Sequence, residues 1–290
     1  MQRTDAHQHF WQLARGDYAW LRPDDPGVAP LVRDFLPDAL TPLLRTHAVT
    51  RTVLVQAAES VAETEFMLGL AASHEFIAGV VGWVDFAAED AAATLARLAA
   101  DDSLKGVRPM LQDLPADDWI VAAPRPDALR TLQRLGLRFD ALVRPRQLAP
   151  LARFAHAWPE LPIVIDHAAK PPLAAAAWND APMQAWRRDM AALAAAPQVS
   201  CKLSGLLAEL GPADRSVPAR ATERLRPVVD ALLGWFGPER LMWGGDWPVL
   251  TLAGSYADWI SVSDTLLAPL SAAERAQVLH GTAQRFYGLA

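Results

Sequence analysis

Asp5-Ala6-His7-Gln8-His9-Phe10 opens the chain with an acidic residue and two histidines one residue apart. If the segment is extended, the two-residue period of a strand puts His7 and His9 on one face. Two imidazoles converging from one strand hold a divalent metal, or hydrogen-bond a carbonyl oxygen, at a single point. The pair gains meaning from the far end of the chain. There Leu241-Met242-Trp243-Gly244-Gly245-Asp246-Trp247-Pro248 is a second extended run, and it ends in an aspartate. The sequence between the two has the rhythm of a barrel that brings them together.

Short β-rich runs alternate with longer Ala/Leu-rich helical patterns. The runs cover 4–11, 51–57, 77–84, 104–111, 137–143, 162–166, 199–203 and 241–244. Several are near-continuous apolar stretches, as parallel strands covered on both faces should be. Helical spacing of apolar residues marks 59–74, 87–100, 126–135, 147–158, 178–196, 218–236 and 255–267. Gly136 supplies a C-cap signal after the third of these. Ser271 and Glu274 have capping-box spacing and start a last helix over 271–279. Eight strand-then-helix units predict a closed α/β barrel of the (β/α)8 TIM type, with a doubly wound open sheet as the alternative. No internal repeat or linker interrupts the pattern, so residues 1–290 read as one domain. The Asp- and Pro-rich stretch 16–37 reads as an insertion after the first strand that folds over the barrel mouth.

The chain has 290 residues, 52% of them hydrophobic and 21% charged, which is globular composition. A net charge of −6, with no run of basic residues, argues against nucleic acid or an anionic membrane as partner. One cysteine, Cys201, excludes an internal disulfide and suits a reducing cytoplasm. The polar first ten residues do not look like a signal peptide, and no apolar run reaches the ~20 residues of a membrane span. Oligomeric state leaves no mark on the sequence.

In such barrels the active site lies at the C-terminal ends of the strands. Polar residues recur there: His7 and His9, Gln56, Trp83 and Asp85, Arg108, Asp140 and Arg144, Asp166, His167 and Lys170, Lys202 and Ser204, then Asp246 and Trp247. Polar groups are expensive beside a packed core, so the repetition suggests a pocket. Each has a plainer reading. His167 alone would be a satisfied core histidine, Asp246 a turn former, and Arg108 the partner of a nearby acid. The tryptophans Trp11, Trp83 and Trp247 would be ordinary core, and Lys170 a solvated loop residue. His47, His74, His156 and His280 fall on helices or their ends and read as non-catalytic, and Cys201 as an inert buried thiol.

Taken together, the pieces resemble the amidohydrolase superfamily, and within it the lactonase branch that hydrolyses sugar lactones and pyrone dicarboxylates. The likeness rests on Asp5-Ala6-His7-Gln8-His9-Phe10-Trp11, Gly106-Val107-Arg108, Ile165-Asp166-His167 with Lys170-Pro171, Lys202-Leu203-Ser204-Gly205 and Met242-Trp243-Gly244-Gly245-Asp246-Trp247-Pro248. It spans nearly the whole chain. The metal-rich members of that superfamily carry a lysine or glutamate on strand four and a histidine on strand five. Here those ends carry Arg108 and Asp140, so a bridged two-metal centre is not expected. The resemblance implies at most one divalent metal, such as zinc, held among His7, His9, His167 and Asp246. It also implies that activity does not always require the ion.

The resulting expectation is hydrolysis of a small sugar lactone. Asp246 takes the proton of water, His167 orients water or lactone, and His7 and His9 polarise the carbonyl directly or through zinc. Arg108, Gln56, Trp83, Asp140, Lys170 and Trp247 are the expected substrate contacts. Only Arg108 and Arg144 are placed to meet a dicarboxylate, which favours convergent bidentate guanidinium groups. Competing readings are a metal-dependent decarboxylase or a dicarboxylate lactonase of the same fold, a phosphoesterase, and a sugar-binding barrel without turnover.

Overall fold

The computed structural model describes residues 2–289. Eight parallel strands lie in sequence order: β1 (Arg3–Gln8), β2 (Val49–Val55), β3 (Ile77–Gly82), β4 (Leu104–Val107), β5 (Arg138–Ala141), β6 (Ile163–Ile165), β7 (Val199–Leu203) and β8 (Leu241–Trp243). Each pairs only with its neighbours in sequence, which is barrel topology and not the reversed order of an open doubly wound sheet. Closure comes from the backbone beyond the last strand. Asp246 N–H donates to His7 O and His9 N–H to Trp247 O, both at 2.7 Å. The two ends of the chain therefore meet at the residues that carry the chemistry.

A helix follows every strand: α1 (Pro37–Thr46), α2 (Val61–Ser73), α3 (Ala91–Leu98), α4 (Pro126–Arg134), α5 (Leu148–Ala157), α6 (Ala181–Ala194), α7 (Pro218–Phe236) and α8 (Tyr256–Leu267). Their starts follow local chemistry. Ser60 caps α2 by accepting from Glu63 N–H, and Ser255 and Asp258 form a reciprocal capping box at α8. Proline stands in the first turn of α1, α4, α6 and α7, where its missing N–H costs nothing. The sequence pattern did not mark α1. Pro42 stands inside it and reads as a breaker, yet Leu40 and Leu44 bury the helix against the barrel.

The strands are shorter at their C-terminal ends than their apolar patterns predict. Residues such as Gln56, Arg108 and Val143 lie in the loops beyond β2, β4 and β5. The capping box of Ser271 and Glu274 is present, but α9 (Ala272–Ala276) runs into a wider turn over Gln277–Gly281 before α10 (Thr282–Tyr287). That last helix closes the N-terminal end of the barrel. Arg138 donates to Phe286 O, and Gln284 bonds to Thr4 and Arg51 at the starts of their strands. Ala6, Val53, Val55, Val81, Val164 and Met242 fill the interior above it, packed against Ala283 and Tyr287. Fully burying each large aliphatic side chain is worth about 1.5–3 kcal/mol, so the interior is a core and not a channel.

Candidate active site

The open end of the barrel holds a cavity of about 530 Å³, within the range for a small-molecule site. His9, Arg108, His167, Lys170 and Asp246 form its floor side, and Trp20, Arg22, Asp25 and Val28 its roof. The roof comes from the 16–37 insertion, which does fold over the mouth. Trp20 is fixed there by its indole N–H, which donates to Ala57 O at 2.8 Å.

Asp246 stands at the turn out of β8 with φ +55°, a left-handed value that aspartate tolerates better than most residues. Its Oδ1 lies 3.4 Å from His9 Nε2 and 3.8 Å from both His7 Nε2 and His167 Nε2. Burial alone would raise this carboxyl. The histidines around it, His167 foremost, outweigh burial and hold it well below the usual carboxylate range, so it is ionised at neutral pH. Asp5 supports this turn from behind. Its carboxylate accepts from Gly245 N–H at 2.7 Å, His7 N–H at 3.0 Å and the Tyr256 hydroxyl at 2.8 Å. A side chain at Gly245 would meet that carboxylate at 2.5 Å, which is why the Gly-Gly precedes Asp246.

His167 and Lys170 owe their places to an unusual stretch of backbone. His167, Ala168, Ala169 and Lys170 all have φ between +49° and +56°, a complete left-handed turn without glycine. Each such residue costs about 1–2 kcal/mol, and a run of four survives only where the surroundings over-determine it. The two alanines are sealed in the core, Trp186 donates its indole N–H to Ala168 O, and the turn's two ends face the cavity. His167 Nδ1 is 2.9 Å from Ser204 Oγ. Its ring lies against Gly205, where any Cβ would fall 2.6 Å from Nδ1 and where φ is +66°. Burial lowers the His167 pKa to about 4, and Asp246 and Asp166 only partly oppose it, so the ring is neutral at pH 7.

Arg108 is almost wholly buried yet reaches the cavity. Its guanidinium donates to Asp166 Oδ2 at 3.3 Å and to the carbonyl oxygen of Gln56. The Gln56 amide returns a hydrogen bond to Arg108 O at 2.7 Å. Gln56 is thus a brace for Arg108 and not a lining residue. Trp247 is likewise behind the site, edge-on to Phe10 and Phe35. Trp83 faces a separate depression beside Glu59 and Trp119.

Asp140 departs furthest from the sequence reading. It is fully buried on β5, bonded to Lys202 Nζ at 2.5 Å and to the Tyr287 hydroxyl at 2.6 Å, and no part of it reaches the cavity. Strand alternation turned it into the barrel axis one level below the mouth. Burial raises its pKa to about 6 against the pull of Lys202. His7 is also sealed, behind His9 and His167, and does not line the cavity. Burial and the neighbouring Lys202 push its pKa well below normal. Direct polarisation of a substrate carbonyl therefore falls to other groups.

Sequence reasoning missed the roof residues and the wall formed by Met110, Gln112, Asp113 and Leu142. It also missed Glu209, whose charge faces Lys170 and Arg144 and whose carboxyl is raised by burial. The insertion brings in Arg22, an arginine the linear reading could not place, but Asp25 pairs with it at 2.9 Å. Four cations (Arg22, Arg108, Arg144 and Lys170) then face three carboxylates (Asp25, Asp113 and Asp246) in the cavity. Such mixed lining suits hydroxyl groups better than a dianion.

The donor set also fits a divalent ion. A tetrahedral zinc with ligands at about 2.0–2.1 Å needs its donors about 3.3 Å apart. His7 Nε2, His9 Nε2 and Asp246 Oδ1 stand 3.2–3.8 Å from one another, and His7, Asp166 and His167 form a second such group.

A sequence-family description named Amidohydrolase matches residues 4–289. The chain belongs to the amidohydrolase family. Among its relatives, an L-fucono-1,5-lactonase of Burkholderia ambifaria is 44% identical over 98% of this amidohydrolase and 95% of the relative. Two crystal structures of an amidohydrolase from Burkholderia multivorans, one with bound HEPES and one with bound zinc, are each 39% identical. They superpose over the whole of both chains with TM-scores of 0.91 and 0.89. Among the described residues of this amidohydrolase, no helix is long and apolar enough to cross a membrane.

Proposed function

We propose that the protein hydrolyses an aldonic acid lactone, with L-fucono-1,5-lactone as the leading substrate. One observation carries the reading. An ionised carboxylate, Asp246, stands on the cavity floor with the neutral ring of His167 beside it, and Arg108 and Lys170 share that floor. That is a base for water set among donors for a developing oxyanion. The relatives named as L-fucono-1,5-lactonases support the substrate class.

In this reading the lactone carbonyl oxygen faces Arg108 and Lys170, whose positive charge grows in value as negative charge develops on that oxygen. Asp246 takes the proton of the attacking water. His167, with Nδ1 engaged by Ser204, holds the water on the carbonyl face. When the ring C–O bond breaks, the Asp246 carboxyl returns its proton to the departing oxygen, and a hydroxy acid leaves. The roof residues Trp20 and Val28 shield the site from bulk water. A divalent ion, where present, would be held by His7, His9 and Asp246 once His7 gives up its ring hydrogen, and would supply Lewis acidity toward the carbonyl. Sugar breakdown in the cytoplasm is the setting this substrate suggests.

The test is acid release, followed with a pH indicator, from a panel of L-fucono-, L-galactono-, D-arabinono- and L-rhamnono-lactones. We expect turnover of the L-fucono- compound and a stereochemical subset around it. Absence of acid release from every aldonolactone, with and without added zinc, overturns the proposal.

A further inference from the structure

We propose that Lys202 is a positioning residue that fixes the hydrogen of His7 on Nε2, making His7 a hydrogen-bond donor and withholding it from a metal.

An ammonium group has three hydrogens and no lone pair. Lys202 Nζ lies 3.1 Å from His7 Nδ1, so Nδ1 must accept, and the hydrogen of the neutral ring sits on Nε2. Nε2 is 3.2 Å from His9 Nε2. His9 Nδ1 is 2.8 Å from Val55 O, an acceptor only, so that nitrogen carries the hydrogen and leaves His9 Nε2 bare. Donors then run in one direction, from Lys202 to His7, from His7 to His9, and from His9 to the backbone of β2.

The opposite tautomer has two contacts in its favour, and both are weaker. Arg108 Nη1 approaches His7 Nε2 at 3.3 Å, and Asp166 Oδ1 lies 3.4 Å from His7 Nδ1. The Asp166 contact is longer than an ordinary N–H···O hydrogen bond, and that oxygen already faces Lys202 Nζ at 3.0 Å. Arg108 Nη1 already serves Asp166 Oδ2. The opposite tautomer would leave a buried Nδ1–H facing an ammonium at 3.1 Å, whereas the proposed one costs Arg108 Nη1 only its second, longer contact at 3.3 Å.

Lys202 is itself held from below. Asp140 accepts from it at 2.5 Å, and Tyr287 of the closing helix binds the same carboxylate oxygen. Its second carboxylate, Asp166, lies 3.0 Å away. If the lysine swung aside, Asp140 would lose its only cation and keep just the Tyr287 hydroxyl, and Asp166 would keep just Arg108.

A histidine that binds metal nearly always donates its other ring N–H to a carboxylate, a carbonyl or water, which fixes the lone pair on the metal side. Lys202 does the reverse: it occupies the far nitrogen as a donor and leaves a hydrogen where the ion would go. The spacing of the donors fits zinc, but the hydrogen on His7 Nε2 opposes it.

Two measurements test this without any lactone. In chelator-treated wild-type protein, two-bond 1H–15N correlation of labelled imidazoles, assigned with His7→Gln, should show His7 with a bare Nδ1 and a protonated Nε2. A protonated Nδ1 overturns the proposal. Calorimetric titration with zinc chloride should show Lys202→Met binding zinc at least about ten-fold more tightly than wild type, the scale of such outer contacts. Equal or weaker binding by a folded Lys202→Met protein also overturns it. If that variant does not fold, the wild-type spectrum alone decides.

Discussion

The barrel carries two charged clusters that use the same residue types to opposite ends. At the mouth, Asp246, Arg108, Lys170, His9 and His167 face a cavity. Below them, Asp140, Asp166, Lys202 and Tyr287 are sealed, each charge matched to another in the interior. The mouth cluster keeps polar groups ready for a ligand. The sealed cluster spends its polar groups on one another and on His7, which links the two. The difference lies in depth along the axis by about one strand residue, not in composition.

The sharpest way to break the comparison is Asp246→Asn. The amide cannot take a proton from water, so kcat should fall by about 10²–10⁴-fold, the usual worth of a general base. The fold should survive, because the Asp246 backbone bonds that close the barrel are untouched. Steady-state kinetics on the preferred lactone, with circular dichroism as control, checks this. Near-wild-type turnover would move the base elsewhere in the mouth cluster.

Arg108→Met comes next, because Arg108 belongs to both clusters. It lines the cavity and also binds Asp166 Oδ2. Losing one charge-assisted hydrogen bond to the developing oxyanion, about 1.5–3 kcal/mol, should lower kcat/KM roughly 10–100-fold, chiefly through kcat. Asp166 keeps Lys202, so the interior should hold. An unchanged kcat/KM would place Arg108 wholly in the sealed cluster.

The comparison also marks where sequence reasoning reaches its limit. The barrel was legible because its strands are short apolar runs at regular spacing, and because His7, His9 and Asp246 stand at the two ends that closure must join. The candidate site was legible as a list of strand-end polar residues. Its division into mouth and interior was not, because a one-residue step turns a side chain from the cavity into the axis. Asp140 and Lys170 look alike in sequence, each a charge in or just past an apolar strand. Only the left-handed turn at His167–Lys170 brings Lys170 to the cavity, and His-Ala-Ala-Lys carries no glycine to announce it. The roof could be expected from the 16–37 insertion, but which of its side chains face down depends on loop geometry. Glu209 and the closing contact of Tyr287 come from segments that packing alone brings near the axis.

Glu63 sharpens the comparison from outside both clusters, as a buried acid with no cation bonded to it. It accepts from Ala57 N–H at 3.0 Å and Ala58 N–H at 2.7 Å, and burial raises its pKa from 4.5 to about 7. The folded protein therefore holds this proton more tightly than the unfolded chain. The associated stability is complete below pH 4.5 and is lost as pH rises to about 7. Glu63→Gln has no proton to lose. Its stability relative to wild type should improve by about 3 kcal/mol between pH 4.5 and 7.5, at 1.36 kcal/mol per unit, and then level off. Urea unfolding across that range measures it, and other titrating groups cancel in the difference. A flat difference would mean that the Ala57 and Ala58 amides compensate Glu63 as fully as Lys202 compensates Asp166.

The smallest expected effect falls at the bottom of the sealed cluster. Tyr287→Phe removes one hydrogen bond to Asp140 and nothing from the cavity. Asp140 retains Lys202, so no charge is left unpaired. A hydrogen bond to a carboxylate is worth about 1.5–3 kcal/mol, and unfolding free energy should drop by the lower end of that range, because Lys202 still serves the same oxygen. Turnover and KM should stay at wild-type values, because Lys202 keeps its contact with His7. A loss of turnover larger than the loss of stability would show that the floor of the barrel controls the mouth more tightly than one shared lysine implies. The two clusters would then have to be read as a single network running the length of the axis.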